Sequence, residues 1–232
     1  MEAVVDSLRL ERLVQVPGSR KQQPSLSCLW FPAHVPIIMH VVELEKLAQR
    51  LEGRIVVLEP LMPEHVDGIR EAAGDERIWT WMWTTDIDAW LEHTFGNEQL
   101  HPFAVLQNGK VVGSTSYLLW EPHHLRVEIG NTWMHPSTWN TGANVEAKYL
   151  LLRHAFEELG FRRVEFKTDA KNERARRALA ALPAEFEGIH RKHMVVRGGE
   201  RRDSAWYAVI DDEWPQVKSA LEARLSQKTD FV

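Results

Sequence analysis

Cysteine is scarce in this chain, since Cys28 is the single thiol among 232 residues. One thiol forms neither an internal disulfide nor a cysteine-rich zinc site, so we expect a reducing, cytoplasmic environment. The sequence also lacks an uninterrupted apolar run of ~18 residues, so no membrane-spanning helix is expected. An excess of basic residues is missing too, because the formal net charge is −5. We therefore expect neither a membrane nor a nucleic-acid partner.

Motifs for metal binding and for nucleophilic catalysis are also missing. His190 and His193 come nearest to a metal-ligand spacing, but side chains three residues apart in a strand point to opposite faces. The Gly-x-Ser-x-Gly pattern of serine hydrolases does not occur in the sequence. We therefore expect neither a bound metal nor a covalent serine or cysteine mechanism.

Residues 1–38 differ in composition from the rest of the chain. They show no hydrophobic periodicity and are interrupted by Pro17, Pro24, Pro32 and Pro36. We expect a poorly ordered N-terminal extension there, and not a secretory signal. Periodic sequence begins at Met39, which leaves open whether Met39 is the natural start. Residues 39–232 are then expected to form a single domain.

The periodic part of the sequence alternates between strand and helix patterns. A strand precedes two helices, and three strands, a helix, a strand, a helix, two strands and a final helix follow. Asn108-Gly109 between apolar runs predicts a tight hairpin turn, and Asp86 is a predicted helix N-cap. This order indicates an α+β fold with a mostly antiparallel central sheet and helices on both faces.

The segment from Trp133 to Ala147 has the form of a strand, a short loop and a long amphipathic helix. Such a loop can offer several backbone N–H groups to one anion, and the helix dipole adds positive potential there. Gly142 would let the backbone approach a phosphate that a Cβ would block. The segment alone predicts either a phosphate site or an ordinary strand–helix connection.

This segment resembles the acyl-CoA pyrophosphate loop of the GNAT superfamily of N-acetyltransferases, whose core pattern is Arg/Gln-x-x-Gly-x-Gly/Ala. Gly142 matches that pattern, Trp139 stands at its Arg or Gln position, and Asn144 stands at its final Gly or Ala position. The resemblance extends over about residues 54–225 and is greatest to the branch that contains ribosomal-protein N-terminal acetyltransferases.

The resemblance implies a fold detail and a set of site residues. The strands over 126–134 and 163–169 would splay apart, and the gap would bind the pantetheine arm of acetyl-CoA, the co-substrate. The N–H of Met134 would donate to the acyl oxygen, and Asn172 would contact the cofactor, cap the next helix, or do both. The phosphate loop would comprise Trp139, Asn140, Thr141, Gly142, Ala143 and Asn144.

Direct attack by an amine requires that the amine lose a proton, because lysine-like amines are mostly protonated at neutral pH. Glu128 is our candidate general base, since it interrupts an apolar strand; the alternative is a carboxylate that faces solvent or pairs with an arginine. The family's usual tyrosine acid is replaced by Leu179. The function implied is acetylation of a primary amine, either a protein N-terminus or a small molecule. The alternative is a non-catalytic acyl-CoA sensor or scaffold.

Tryptophan is abundant, with ten residues in the chain. Trp79, Trp81 and Trp83 alternate between the two early helices, in the region that covers the acceptor in GNAT enzymes. They are candidate substrate-binding residues, because ring faces suit apolar and cationic groups. The alternatives are core packing and the interface of a homodimer.

Overall fold

An eight-stranded sheet forms the centre of the protein in the computed structural model, which describes residues 44–229. The predicted extension over residues 1–38 lies outside the described residues. The strands are β1 (Leu51–Glu52), β2 (Val57–Pro60), β3 (Leu100–Gln107), β4 (Lys110–Glu121), β5 (Arg126–Met134), β6 (Arg163–Asp169), β7 (Glu185–Val196) and β8 (Glu200–Ile210). Their spatial order is β1-β2-β3-β4-β5-β6-β8-β7, and every neighbouring pair is antiparallel except β5 and β6. The predicted mostly antiparallel sheet is confirmed.

Helices cover both faces of this sheet, as predicted. They are α1 (Leu44–Leu47), α2 (Val66–Ala72), α3 (Ile87–Gly96), α4 (Ala143–Arg153), α5 (Glu173–Ala180) and α6 (Trp214–Thr229), and a π-helical turn over His154–Glu158 extends α4. We call the side packed by α4, α5 and α6 the back face; its buried cluster includes Val127, Ile129, Phe166 and Leu179. The front face is packed by α2 and α3, whose cluster includes Trp90 and Trp133.

Two local sequence signals produce the predicted structure. The Asp86 carboxylate accepts hydrogen bonds from the N–H groups of Asp88 and Ala89, and so caps α3. Asn108 and Gly109 both have positive φ, 51° and 75°, as the hairpin turn between β3 and β4 requires. Each signal acts within a few residues, so distant contacts do not override it.

The region around residues 48–58 differs from the sequence-based expectation. The hydrophobic pattern predicts a helix over residues 40–51 and a strand over 55–58, but α1 ends at Leu47 and β2 begins at Val57. The N–H groups of Arg54, Ile55 and Val56 donate to the Glu146 carboxylate on α4, at 2.9, 2.6 and 2.7 Å. Those backbone groups are therefore bound by a helix side chain instead of a neighbouring strand.

The strands β5 and β6 separate along their length, as the resemblance implied. They pair only from Arg126 opposite Arg163 to Glu128 opposite Glu165, and their remaining residues are not paired with each other. A bulge in β5 lies just beyond this point, where its register against β4 shifts between Ser114 and Ser116. Asn131, with a φ of 49°, lies in this bulge. Because bulges bend a strand, this one accounts for the separation.

Candidate active site

A cavity of about 540 Å³ opens where β5 and β6 separate. Its wall includes residues of the front face, such as Trp83 and Glu128, and residues of the back face, such as Phe166 and Leu179. The gap between the strands therefore connects the two sides of the sheet. A donor bound on the back could meet an acceptor bound on the front without any movement of the sheet.

The loop between β5 and α4 borders this cavity and is held by its own hydrogen bonds. The Thr138 hydroxyl donates to the carbonyl of His135 at 2.8 Å, and the Thr141 hydroxyl donates to the carbonyl of Thr138 at 2.7 Å. Gly142 is the N-cap of α4 and has a φ of 100° and a ψ of −15°. The loop thus brings a helix N-terminus to the cavity in a backbone conformation that favours glycine.

Trp139 fixes two arginines at the same loop. Its indole N–H donates to the carbonyl of Met134 at 3.0 Å. The Arg174 guanidinium lies over its ring, 3.8 Å from the centroid, and the Arg77 guanidinium lies 5.5 Å from it. Trp139 therefore contacts positive charge through its ring at the position that has Arg or Gln in the family pattern.

The three arginines of α5 have different surroundings. Arg174 lines the cavity. Arg176 donates to the Tyr207 hydroxyl and to the carbonyl of Ala170, and Arg177 pairs with Glu173 on the exposed side of α5. Arg174 is therefore the one of the three that can meet a phosphate in the cavity. The sequence did not distinguish these residues, since all three fit a basic helix face.

At the end of β5, the backbone N–H of Met134 faces the gap between β5 and β6. The N–H of His135 donates to the carbonyl of Val112, so the backbone of His135 faces β4. Alternation along the strand then directs the N–H of Met134 toward the gap, away from β4. Across the gap, Asn172 caps α5 by accepting from the N–H of Ala175 at 3.0 Å, and it lines the cavity.

Glu128 is buried in the cavity wall, with 1% of its surface exposed. Its carboxylate pairs with the Lys167 ammonium at 2.8 Å. Burial raises the pKa of Glu128, and the charge of Lys167 opposes that rise. Gly130 lies two residues further along β5, where a Cβ would come within 2.9 Å of the carboxylate. A glycine there leaves room beside Glu128.

A buried lysine lies on the other side of the gap and was missed by the sequence-based reasoning. Lys148 projects from α4, and its ammonium is 2.7 Å from the Thr132 hydroxyl and 3.4 Å from the Thr115 hydroxyl. Burial lowers the pKa of Lys148 from 10.5 to about 7, against a smaller opposing effect of Glu128. The available signal was a lysine on the apolar face of the best predicted helix.

Comparison with known proteins agrees with this architecture. A sequence profile described as Acetyltransferase (GNAT) domain matches residues 56–184. A GCN5-related N-acetyltransferase from Brucella melitensis has 34% identity and a TM-score of 0.72, over 76% of this chain and 85% of that chain. The chain belongs to the GNAT acetyltransferase family. A candidate acetyltransferase from T. thermophilus is 41% identical, with a TM-score of 0.72 over 76% of this chain and 97% of that one.

The other comparisons do not identify a branch within the GNAT family. The chain matches no curated protein sequence. RimJ of Mycobacterium smegmatis, solved in complex with CoA-disulfide, has a TM-score of 0.66 over 77% of this chain and 96% of that chain. At 20% identity this likeness concerns the fold alone.

GNAT acetyltransferases use acetyl-CoA as the acetyl donor. The loop, the gap and Arg174 fit the phosphates and the extended arm of that co-substrate. Among residues 44–229, no group of three or more His, Cys, Asp or Glu side chains could hold a metal ion. In the same part of the chain, no helix is long and apolar enough to cross a membrane.

Most of the predicted site residues of this GNAT domain lie together, and some do not. The cavity is lined by Glu128, Met134, Trp139, Asn140, Gly142, Asn144, Asn172, Trp81 and Trp83. Thr141 and Ala143 belong to the loop but do not line the cavity: the Thr141 hydroxyl bonds within the loop, and Ala143 is fully buried. Any phosphate contact from these two would come from the backbone.

The side chain of Trp79 packs in the core, which was the alternative to substrate binding. Trp79 is 7% exposed, belongs to the buried cluster of the front face and does not line the cavity. Its indole N–H donates to the carbonyl of Ala73, and its ring lies 5.9 Å from that of Trp133. Residues 76–81 form a 3-10 helix. With about three residues per turn, alternate residues there do not share a face.

Proposed function

We propose that this GNAT protein acetylates a primary amine by direct attack, with acetyl-CoA and the amine bound together. The observation that carries the proposal is a buried carboxylate, Glu128, in the wall of the cavity that the phosphate-loop elements also border. Acetyl-CoA supplies the activated acetyl group. The residues of the chain then have to orient the two substrates and move protons between them.

Glu128 is proposed to accept the proton that the acceptor nitrogen must lose. Its raised pKa brings it closer to that of the amine than an exposed glutamate would be, which favours proton transfer. The N–H of Met134 is proposed to donate to the acyl oxygen as negative charge develops there. Trp81 and Trp83 are proposed to contact the acceptor.

Lys148 is proposed to carry the proton that the departing sulfur gains. It is buried in the cavity wall, and its pKa of about 7 lets it hold or release a proton near neutral pH. No tyrosine performs this role at the family's usual position, because Leu179 stands there. The aliphatic Leu179 side chain lines the cavity instead.

The test is release of thiol from acetyl-CoA with a panel of amines and peptides, for the wild type and for Glu128→Gln. If Glu128 is the base, kcat/KM for the acceptor should fall by about 10²–10⁴-fold, and the deficit should shrink as pH rises because more of the amine is already neutral. Affinity for acetyl-CoA should stay within about twofold of the wild type, because Glu128 is proposed to act on the incoming amine and not on the cofactor.

Glu165→Gln is the matched control, because Glu165 lies opposite Glu128 on β6, is 6% exposed and does not line the cavity. It should lower the melting temperature without a pH-dependent loss of rate. Near-normal acceptor kinetics in Glu128→Gln would refute the role of Glu128. Binding of CoA without thiol release from any acceptor would favour the non-catalytic acyl-CoA sensor.

A further inference from the structure

A guanidinium without a carboxylate partner forms part of the cavity wall. Arg202, on β8, is 8% exposed and lines the cavity. Its Nε is buried without a hydrogen bond, and within residues 44–229 its side chain forms no ion pair or hydrogen bond. Burial lowers the pKa of Arg202, and the charges of Asp169 and Glu128 oppose that change only in part.

Strand register places Arg202 on the same face of the sheet as Glu128. Glu128 lies opposite Glu165, and Lys167 lies two residues further along β6. Lys167 in turn lies opposite Trp206, four residues from Arg202 on β8. Since paired residues share a face and alternate residues return to it, Glu128, Lys167 and Arg202 all project toward the front. This is the face on which the acceptor is proposed to bind.

The other charges on this part of the front face are already matched. Glu128 pairs with Lys167 at 2.8 Å, and Asp169 pairs with Arg197 at 3.4 Å. Glu200, which is more exposed, also contacts Arg197, at 3.0 Å. Among these charged residues, Arg202 is therefore the cation whose guanidinium contacts no carboxylate directly, although the charges of Asp169 and Glu128 reach it. Leaving a buried charge unsatisfied is costly, so a ligand that supplies the opposite charge would gain affinity there.

We propose that the acceptor is an amino acid with a free carboxylate, which Arg202 binds while the amino group lies at Glu128. This inference rests on the proposed acetyltransferase function and names the substrate class of that same site. The guanidinium offers a planar pair of N–H donors that matches a carboxylate. The side chain of the amino acid would meet the apolar wall formed by Leu118, Trp83 and Met194, which favours an apolar residue.

The test measures kcat/KM for three forms of one acceptor, using the full chain and saturating acetyl-CoA. L-Phenylalanine carries the carboxylate, L-phenylalaninamide replaces it with a neutral amide, and 2-phenylethylamine lacks it; L-leucine, L-leucinamide and 3-methylbutylamine form a second set. The carboxylate form of at least one set should have a kcat/KM about 10–100-fold above its amide and amine, as one or two charge-assisted hydrogen bonds provide.

An amide that reacts as well as the acid in both sets would overturn the proposal, because the amide mimics the peptide bond after a protein N-terminus. In that case thiol would still be released, so the acetyltransferase function would stand. If no acceptor releases thiol, the proposed function fails, and calorimetry of L-phenylalanine and L-leucine with the CoA-bound protein decides the role of Arg202. The proposed role of Arg202 would be overturned if neither amino acid bound, or if the affinity were the same in Arg202→Met as in the wild type.

Substitutions in β8 test whether the Arg202 guanidinium causes the preference for an acceptor with a carboxylate. Arg202→Met should reduce the ratio of acid to amide kcat/KM to about one, since no cation then meets the carboxylate. Arg202→Lys should restore part of the ratio, because it keeps the charge without the planar fork. Arg201→Met is the matched control: Arg201 is exposed, does not line the cavity, and should leave the ratio unchanged. A ratio that survives in Arg202→Met would refute the assignment.

Discussion

Replacement of Gly142 by valine should weaken CoA binding through the backbone of the phosphate loop. Gly142 has a φ of 100°, a region that residues with a Cβ rarely adopt. Holding an L-residue at positive φ costs roughly 1–2 kcal/mol, and a β-branched side chain tolerates this region least. The variant therefore either loses that much stability or relaxes the loop toward negative φ.

Relaxation of the loop would move its N–H groups away from the position of a bound phosphate. One lost hydrogen bond to a charged group costs roughly 1.5–3 kcal/mol, which corresponds to about a 10–100-fold loss of affinity. We expect calorimetric titration of CoA into the Gly142→Val protein to show a loss of affinity of at least about tenfold. The melting temperature, measured in parallel, tells whether the variant is folded.

Gly160→Val is the matched control for this experiment. Gly160 follows the π-helical end of α4 with a φ of 70°, and no neighbouring atom lies within 4 Å of a Cβ built there. It is not part of the cavity wall, so the same kind of backbone strain should lower stability and leave CoA affinity unchanged. A folded Gly142→Val protein with wild-type affinity would mean that the phosphates bind elsewhere. Equal losses of affinity in both variants would refute a local effect.

Three further predictions concern stability and domain extent. Because burial lowers the pKa of Lys148 from 10.5 to about 7, the unfolded state binds more protons between these values, and wild-type stability should rise with pH there. Lys148→Met should flatten that rise and stabilise the protein below pH 7 by at most roughly 5 kcal/mol, since each unit of pKa corresponds to about 1.4 kcal/mol. A difference in unfolding free energy between wild type and variant that is the same at pH 6 and at pH 9.5 would refute this. Glu146→Gln should lower the free energy of unfolding in urea by roughly 2–4 kcal/mol, since one buried and two partly buried N–H groups lose a charged acceptor. A change below ~1 kcal/mol would contradict this expectation. A chain that starts at Met39 should fold and bind CoA as the full chain does, and a tenfold loss of affinity would show otherwise.

Several features of this protein could be read from the sequence because their causes are local. The Asp86 cap acts over three residues, the Asn108-Gly109 turn over two, and Gly142 is recognisable from its place between a strand and a helix. Hydrophobic periodicity gave the order of strands and helices for the same reason. The separation of β5 from β6 came from the family resemblance, since strand partners are distant in the chain.

The roles of individual side chains depended instead on contacts between distant residues, which only the tertiary structure brings together. The Lys148 ammonium meets a hydroxyl 33 residues away, and the Glu146 carboxylate binds backbone groups about 90 residues away. Trp79 and Trp81 look alike in the sequence, yet one packs in the core and the other lines the cavity. Arg202 carries no local signal at all, because its importance comes from the missing partner. The sequence by itself therefore determined the order of strands and helices and the strand–loop–helix segment around Gly142, because their causes are local. Burial and charge pairing across the sheet decided which side chains line the cavity and which pack in the core.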